Sequence, residues 1–187
     1  MIRCPRCFYP YKLDEEKVKG YEVLQCPMCK YITSVLGDRD GFVLREAERK
    51  DLDAILELYL HLHETAVPEY SLQLIDAWDN ILADPNHHLI LGEIAGKLVS
   101  SCVCVIIPNL TRNAMPYAFV ENVVTHEDYR GKGYASACLE YAKKIAENHK
   151  CYKMMLLTGS KEEKTLNFYR NVGYNSADKT AFVQWLG

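Results

Sequence analysis

Two residue spacings in this chain can support chemistry. The first is Cys4-Pro-Arg-Cys7 and, after eighteen intervening residues, Cys26-Pro-Met-Cys29. Two residues between cysteines let a tight turn aim both thiolates at one tetrahedral ion, and two such turns supply four sulfur ligands. A proline inside each pair suits a fixed turn. Such a site has no coordination position to spare, so the zinc it implies is structural; two disulfides or two reactive dithiols are the alternative. The second spacing is Arg130-Gly131-Lys132-Gly133-Tyr134-Ala135, between a strand-like run and an amphipathic helix. Glycines let backbone N–H groups come close to a ligand, and a helix N-terminus adds partial positive charge. The segment can therefore hold a phosphate or pyrophosphate, with a plain tight turn as the alternative. It is not a G-x-x-x-x-G-K-[ST] loop, and Ser136 stands where a dinucleotide fingerprint has its third glycine.

Other reactive side chains are less suggestive. His61 and His63 lie two apart on an expected helix and point in different directions. His87-His88 falls in an expected turn, and neither pair has metal spacing. Cys102, Cys104, Cys138 and Cys151 fit buried positions in strands and a helix rather than a nucleophile's setting.

The elements that must position these groups follow from periodicity. Phe42–Arg45 reads as a strand. Asp51 can cap a helix that puts Leu52, Ile55, Leu56 and Tyr59 on one face. A second helix is expected over 71–82. Leu89–Ile94 and Leu98–Ile107, joined by Ala95-Gly96-Lys97, read as a hairpin. Tyr117–Thr125 is another strand, Ala135 to Ala146 a helix, Tyr152–Leu157 a strand, and Glu162–Val172 a helix stopped by Gly173. Thr180–Leu186 reads as a final strand. The order β-α-α-β-β-β-α-β-α-β describes a mixed sheet with helices packed on it.

Composition bounds the function. The chain has 187 residues, 49% hydrophobic and 25% charged, which gives one full-sized domain plus a small appendage and excludes wholesale disorder. A net charge of −3 offers no electrostatic case for tight nucleic-acid binding. Residues 1–36 carry six basic and four acidic side chains, too small an excess to change that. The longest apolar stretch, Leu98–Ile107, is ten residues with two serines, far short of a membrane span. With no signal-peptide pattern, a cytoplasmic location is expected.

Residues 1–36 resemble a rubredoxin-like zinc ribbon, with Phe8 and Lys30 where a glycine often follows each cysteine pair. So short a segment needs a bound metal to offset its small core. Asp38-Arg39-Asp40-Gly41 reads as a linker, and a second domain spans 40–187. In that domain Glu121–Ala135 resembles motif A of the GNAT superfamily of acetyl-CoA-dependent N-acetyltransferases. Arg130, Gly133 and Ala135 meet its pattern [QR]-x-x-G-x-[GA]. Phe168-Tyr169-Arg170-Asn171-Val172-Gly173-Tyr174 resembles motif B, F-Y-x-x-x-G-[FY]. Motif A through motif B is most similar to glucosamine-phosphate acetyltransferases.

The resemblance implies a mixed α/β (α+β) fold: a GNAT-like, mostly antiparallel sheet flanked by helices, beside the small ribbon. It implies acetyl-CoA as cosubstrate and a small-molecule or protein amine as acceptor; the oligomeric state stays open, with a homodimer among the options. Val123, Val124 and Thr125 would pair with the pantetheine arm in a splay between the fourth and fifth strands. Arg130, Gly131, Lys132, Gly133, Tyr134 and Ala135 would hold the pyrophosphate. Tyr169 matches the tyrosine that protonates, or hydrogen-bonds to, the departing thiolate. Thr165 and Glu162 stand where an asparagine often contributes a further contact. Glu121, two residues before Val123 and so expected on the same strand face, resembles the acidic residue many members use as base. An adaptor with a zinc ribbon and a non-catalytic acyl-CoA-binding fold is the alternative function.

Overall fold

The computed structural model describes residues 2–3, 10–11, 21–29, 32–36, 41–62 and 64–186. Cys4, Cys7, His63 and most of the expected linker therefore lie outside the described residues. The N-terminal segment contains two short antiparallel pairs, β1 (Ile2–Arg3) with β2 (Pro10–Tyr11) and β3 (Tyr21–Gln25) with β4 (Ile32–Leu36).

The main sheet has five strands in chain order: β5 (Phe42–Glu46), β6 (His87–Ile94), β7 (Lys97–Ile107), β8 (Tyr117–Thr125) and β9 (Met154–Leu156). The first four run antiparallel to their neighbours, whereas β8 and β9 are parallel. The hairpin β6–β7 turns through Ala95 and Gly96, both at positive φ, because a two-residue loop that matches the strand twist requires it. His87 and His88 start β6 instead of lying in a turn.

Helices cover both faces. On one, α1 (Leu52–Tyr59) and α2 (Leu72–Ala83) bury Leu52, Ile55, Leu58 and Trp78 against Leu89, Leu91, Val103 and Val124. On the other, α4 (Tyr134–Asn148) buries Ala137, Cys138, Tyr141, Ala142 and Ile145 against Ile90, Cys102, Cys104, Ala118 and Val120. Helix α5 (Glu163–Asn171) lays Phe168 and Tyr169 on that same core. Between β7 and β8, the short turn α3 (Thr111–Ala114) holds Arg112, Asn113 and Ala114 at positive φ. The sequence carries no glycine there to signal such a conformation.

Two expectations are corrected. Asp51 precedes α1, but its side chain does not cap that helix. It belongs to a 3-10 turn (Arg49–Asp51), accepts from the Glu48 N–H at 2.7 Å and is paired with Arg45 at 2.6 Å. The segment expected as a last strand, Thr180–Leu186, is assigned to no strand and is exposed throughout.

Candidate active site

Strand β8 is the spine of the site, and its register carries a local irregularity. Val103 faces Glu121 and Ser101 faces Val124, so Asn122 and Val123 together oppose Cys102 alone. This is a β-bulge, and Asn122 adopts φ 51° within it, a conformation that asparagine tolerates better than most side chains. The bulge resets the alternation of the strand. Ala118, Val120 and Val123 pack toward α4, whereas Glu121, opposite Val103, and Val124 belong to the α1–α2 face. Glu121 and Val123 therefore do not share a face. Period-two counting fails here because it assumes an uninterrupted strand.

The parallel pairing of β8 with β9 ends at Val120–Leu156. Glu121 to Thr125 lie beyond that last pair, so the sheet opens between its fourth and fifth strands. On the other side β7 holds β8 to its end. The buried Ser100 hydroxyl donates to the Val124 carbonyl at 2.9 Å and lies 2.9 Å from the Thr125 hydroxyl. Those bonds make a fully buried serine tolerable in an apolar strand.

The chain leaves β8 through His126 and a 3-10 turn (Glu127–Tyr129) and reaches the glycine loop. Gly131 (φ 76°) and Gly133 (φ 86°) are both left-handed, and Gly133 is the N-cap of α4 with no side-chain cap bond. The first-turn amides of a 15-residue helix are thus presented without a capping side chain. The buried Tyr134 ring stacks on Phe42 at 4.5 Å. Phe42 in turn lies so close over Gly92 that a Cβ there would meet the ring at 2.5 Å. This stack fixes where α4 begins. Ala135 is half-buried in its first turn.

The cations around the loop are held in place. Arg130 donates from Nε to the Thr125 carbonyl at 3.1 Å and from Nη2 to the His61 carbonyl at 3.0 Å, tying the loop to the segment after α1. Lys132 lies 5.0 Å and Lys97 5.2 Å from the Tyr129 ring centroid. The His61 and His126 rings sit 4.1 Å apart. Loss of water, His61 and Lys97 push the His126 pKa down, against the pull of Asp128 and Glu127. Backbone amides, a helix N-terminus and nearby lysines make a place for an anion.

Two ionisable groups lie near the opening. Glu121 is exposed, yet the loss of water around it raises its carboxyl pKa, a shift partly offset by the Asn122 N–H. Tyr169 is half-buried, and burial raises its pKa, with Cys102 and Glu121 adding to the effect. Sequence reading missed Tyr59. Burial pushes its pKa up to about 12, and its hydroxyl lies beside the Asn122 and Ser101 side chains. Its place on the apolar face of α1 gave no hint of a polar partner across the sheet. Burial holds Cys138 at about 12 and Cys102 well above its usual value, so both remain thiols and no thiolate nucleophile is present among them.

A model of the acetyltransferase (GNAT) family matches residues 52–174, about two-thirds of the chain and all of the site just described. The chain belongs to the GNAT acetyltransferase family. A glucosamine 6-phosphate N-acetyltransferase of Trypanosoma brucei brucei is 31% identical over 137 residues, covering 73% of this chain and 90% of that protein. Among solved structures, a candidate acetyltransferase of Agrobacterium tumefaciens str. C58 superposes with a TM-score of 0.71 at 39% identity, covering 76% of this chain and 99% of that one. The glucosamine-6-phosphate N-acetyltransferase of Arabidopsis thaliana shares the fold, with a TM-score of 0.70 at 20% identity over 78% of this chain and 99% of that one. This GNAT domain is an N-acetyltransferase, and its family uses acetyl-CoA as acetyl donor. No helix among the described residues is long and apolar enough to cross a membrane.

Proposed function

We propose that the chain transfers the acetyl group of acetyl-CoA to a primary amine by direct attack, in the gap that opens beyond Val120–Leu156. The observation that carries this reading is the coincidence, at one point of the sheet, of the end of β8–β9 pairing, the bulge at Asn122, and a loop with two left-handed glycines at the start of α4. The backbone of Val123, Val124 and Thr125 would pair with the pantetheine arm. Gly131, Gly133, Tyr134 and Ala135 would offer backbone N–H groups to the pyrophosphate, and Arg130 and Lys132 would add charge.

Glu121 accepts the amine's proton, directly or through water, and its raised pKa makes it the better base. The neutral amine then adds to the thioester carbonyl, the added nitrogen gives up its second proton to solvent, from which Tyr169 is later reprotonated, and collapse of the adduct breaks the C–S bond. Tyr169, kept protonated by its raised pKa, donates its hydroxyl proton to the leaving sulfur. Measuring CoA-thiol release over a panel of amines tests this, with glucosamine 6-phosphate included because a relative carries that name, and an aminoglycoside because a fold neighbour from Acinetobacter haemolyticus is an aminoglycoside 6'-N-acetyltransferase. Release with no amine in the panel would favour the adaptor reading.

We also propose that residues 1–36 form a ribbon separate from a domain over 40–187, with one structural zinc on Cys4, Cys7, Cys26 and Cys29. In support, a turn closes between Cys26, which is buried, and Cys29, which is half-buried. This is the arrangement that two residues between ligands should give. No cluster of three or more metal-binding side chains occurs among the described residues, which include only this pair of the four. Metal analysis should find one zinc per chain, and chelation should unfold the ribbon without abolishing acetyl-CoA binding.

A further inference from the structure

The bulge at Asn122 needs a support that its own strand does not supply. A left-handed residue other than glycine lasts in a fold only where its surroundings over-determine it. Asn122 adopts φ 51°, is exposed, and shares a single partner on β7, Cys102, with Val123. The ladder alone gives it little to hold.

Helix α1 offers the missing support. Leu52, Ile55 and Leu58 seat it on the sheet, and Tyr59, next along, packs partly buried against the same core. The Tyr59 hydroxyl is hydrogen-bonded to the Asn122 side chain and stands beside Ser101. Ser101 is fully buried opposite Val124, and its own hydroxyl makes no well-aligned hydrogen bond among the described residues. Three polar side chains thus meet at the bulge, on a face otherwise built of leucine, isoleucine, valine and tryptophan. A hydroxyl in such surroundings costs free energy unless it finds a partner, and phenylalanine would fill the same volume without that cost. What the hydroxyl adds is the tie to Asn122.

Two residues further on, the His61 carbonyl accepts from Arg130 Nη2 at 3.0 Å. The end of α1 therefore grips both halves of the site, the bulge through Tyr59 and the glycine loop through His61. We infer that Tyr59 is a positioning residue for acetyl transfer: its hydroxyl fixes Asn122 in the left-handed form and so sets where the adjacent Glu121 carboxylate stands at the opening. It acts through Asn122, while its own phenol stays neutral. The kinetic consequence rests on the acetyl-transfer reading above; the hold on the bulge does not.

The test compares the full-length wild type with Tyr59→Phe, Asn122→Gly and the double variant. In Tyr59→Phe, peptides covering 120–125 should exchange their amide hydrogens at least about tenfold faster, and those covering 131–139 should not change, since one tie is lost and the other kept. With an amine that the wild type acetylates, Tyr59→Phe should lose at least about tenfold in kcat per folded molecule while its KM for acetyl-CoA stays within about twofold, because a small misplacement at a reacting group acts on turnover. Asn122→Gly permits the left-handed backbone without the tie, so Tyr59→Phe should cost nothing further in that background. Unchanged exchange over 120–125 in Tyr59→Phe would overturn the inference, whether or not any amine is turned over. So would losses that multiply in the double variant, or a lower melting temperature with unaltered kcat, which would make Tyr59 a packing residue. Failure of the acetyl-transfer reading shows separately, as a wild type that releases no CoA thiol with any amine, and exchange then decides alone whether Tyr59 holds the bulge.

Discussion

The Glu121 carboxylate and the Tyr169 hydroxyl approach the same opening from opposite sides of the sheet. Glu121 stands on the α1–α2 face, opposite Val103, while Tyr169 packs on the core under α4. They remain near enough for the carboxylate to help raise the tyrosine's pKa. A thioester lying in the gap between β8 and β9 would thus have a proton acceptor on one side and a proton donor on the other. That separation keeps the two from neutralising each other's function.

Tyr169→Phe should lower kcat by about 10²-fold, the low end for general acid catalysis, because a thiolate leaves tolerably without a proton. The ring volume is unchanged, so packing and acetyl-CoA affinity should hold. Steady-state kinetics, calorimetric CoA titration and a melting curve check the three parts. Full turnover in the variant would make Tyr169 structural.

Glu121→Gln should also cost about 10²-fold in kcat/KM near neutral pH. In the wild type, activity should fall as pH drops through the raised carboxyl pKa, since a protonated Glu121 cannot accept the amine's proton. The variant should lose that limb and follow the amine's ionisation alone. Profiles of both proteins with one amine decide it; identical profiles would remove Glu121 from the reaction.

A side chain at Gly133 should weaken acetyl-CoA binding and also strain the fold. At φ 86° an L-residue is disfavoured by ~1–2 kcal/mol, so Gly133→Val should melt several degrees lower. The informative quantity is the CoA affinity of the folded fraction, expected to fall at least about tenfold. Unchanged affinity would take the loop out of the site.

Asp51→Asn should destabilise the chain by about 1.5–3 kcal/mol at neutral pH, the range for hydrogen bonds to charged groups. Burial alone would raise the Asp51 pKa, but Arg45 and the Glu48 N–H outweigh it and hold the carboxyl below its usual range. A depressed pKa stabilises fully above the unfolded value, near ~3.9, and that stabilisation is lost as pH falls through the folded value. The gap between wild type and variant in urea unfolding should therefore close in acid.

Much of this arrangement is legible in sequence, and what is not has physical reasons. Tyr117–Thr125 shows as a strand and Arg130–Ala135 as a glycine loop that opens a helix, because local spacing encodes them. The bulge does not show, since it exists only in the register between β7 and β8, where Cys102 faces two residues. Asp51 reads as a cap because its position is right, but Arg45, six residues earlier, claims the carboxylate. Thr180–Leu186 reads as a strand because its residues favour one, while strand formation needs a partner, and among the described residues no strand pairs with it.

The extra residue in β8 can be weighed by imagining the chain without it. With Asn122 deleted, Val123 would oppose Cys102 and Val124 would still oppose Ser101. Glu121, Val123 and Val124 would keep the faces they have now. Neither core would need to repack, and a left-handed residue costing ~1–2 kcal/mol would disappear. Packing therefore makes no demand for this residue. What the shorter strand would forfeit is a kink and an unpaired peptide group at the mouth of the gap, together with the Asn122 side chain beside the buried Tyr59 hydroxyl, so the expected deletion protein is close to the parent in stability and poorer at its reaction.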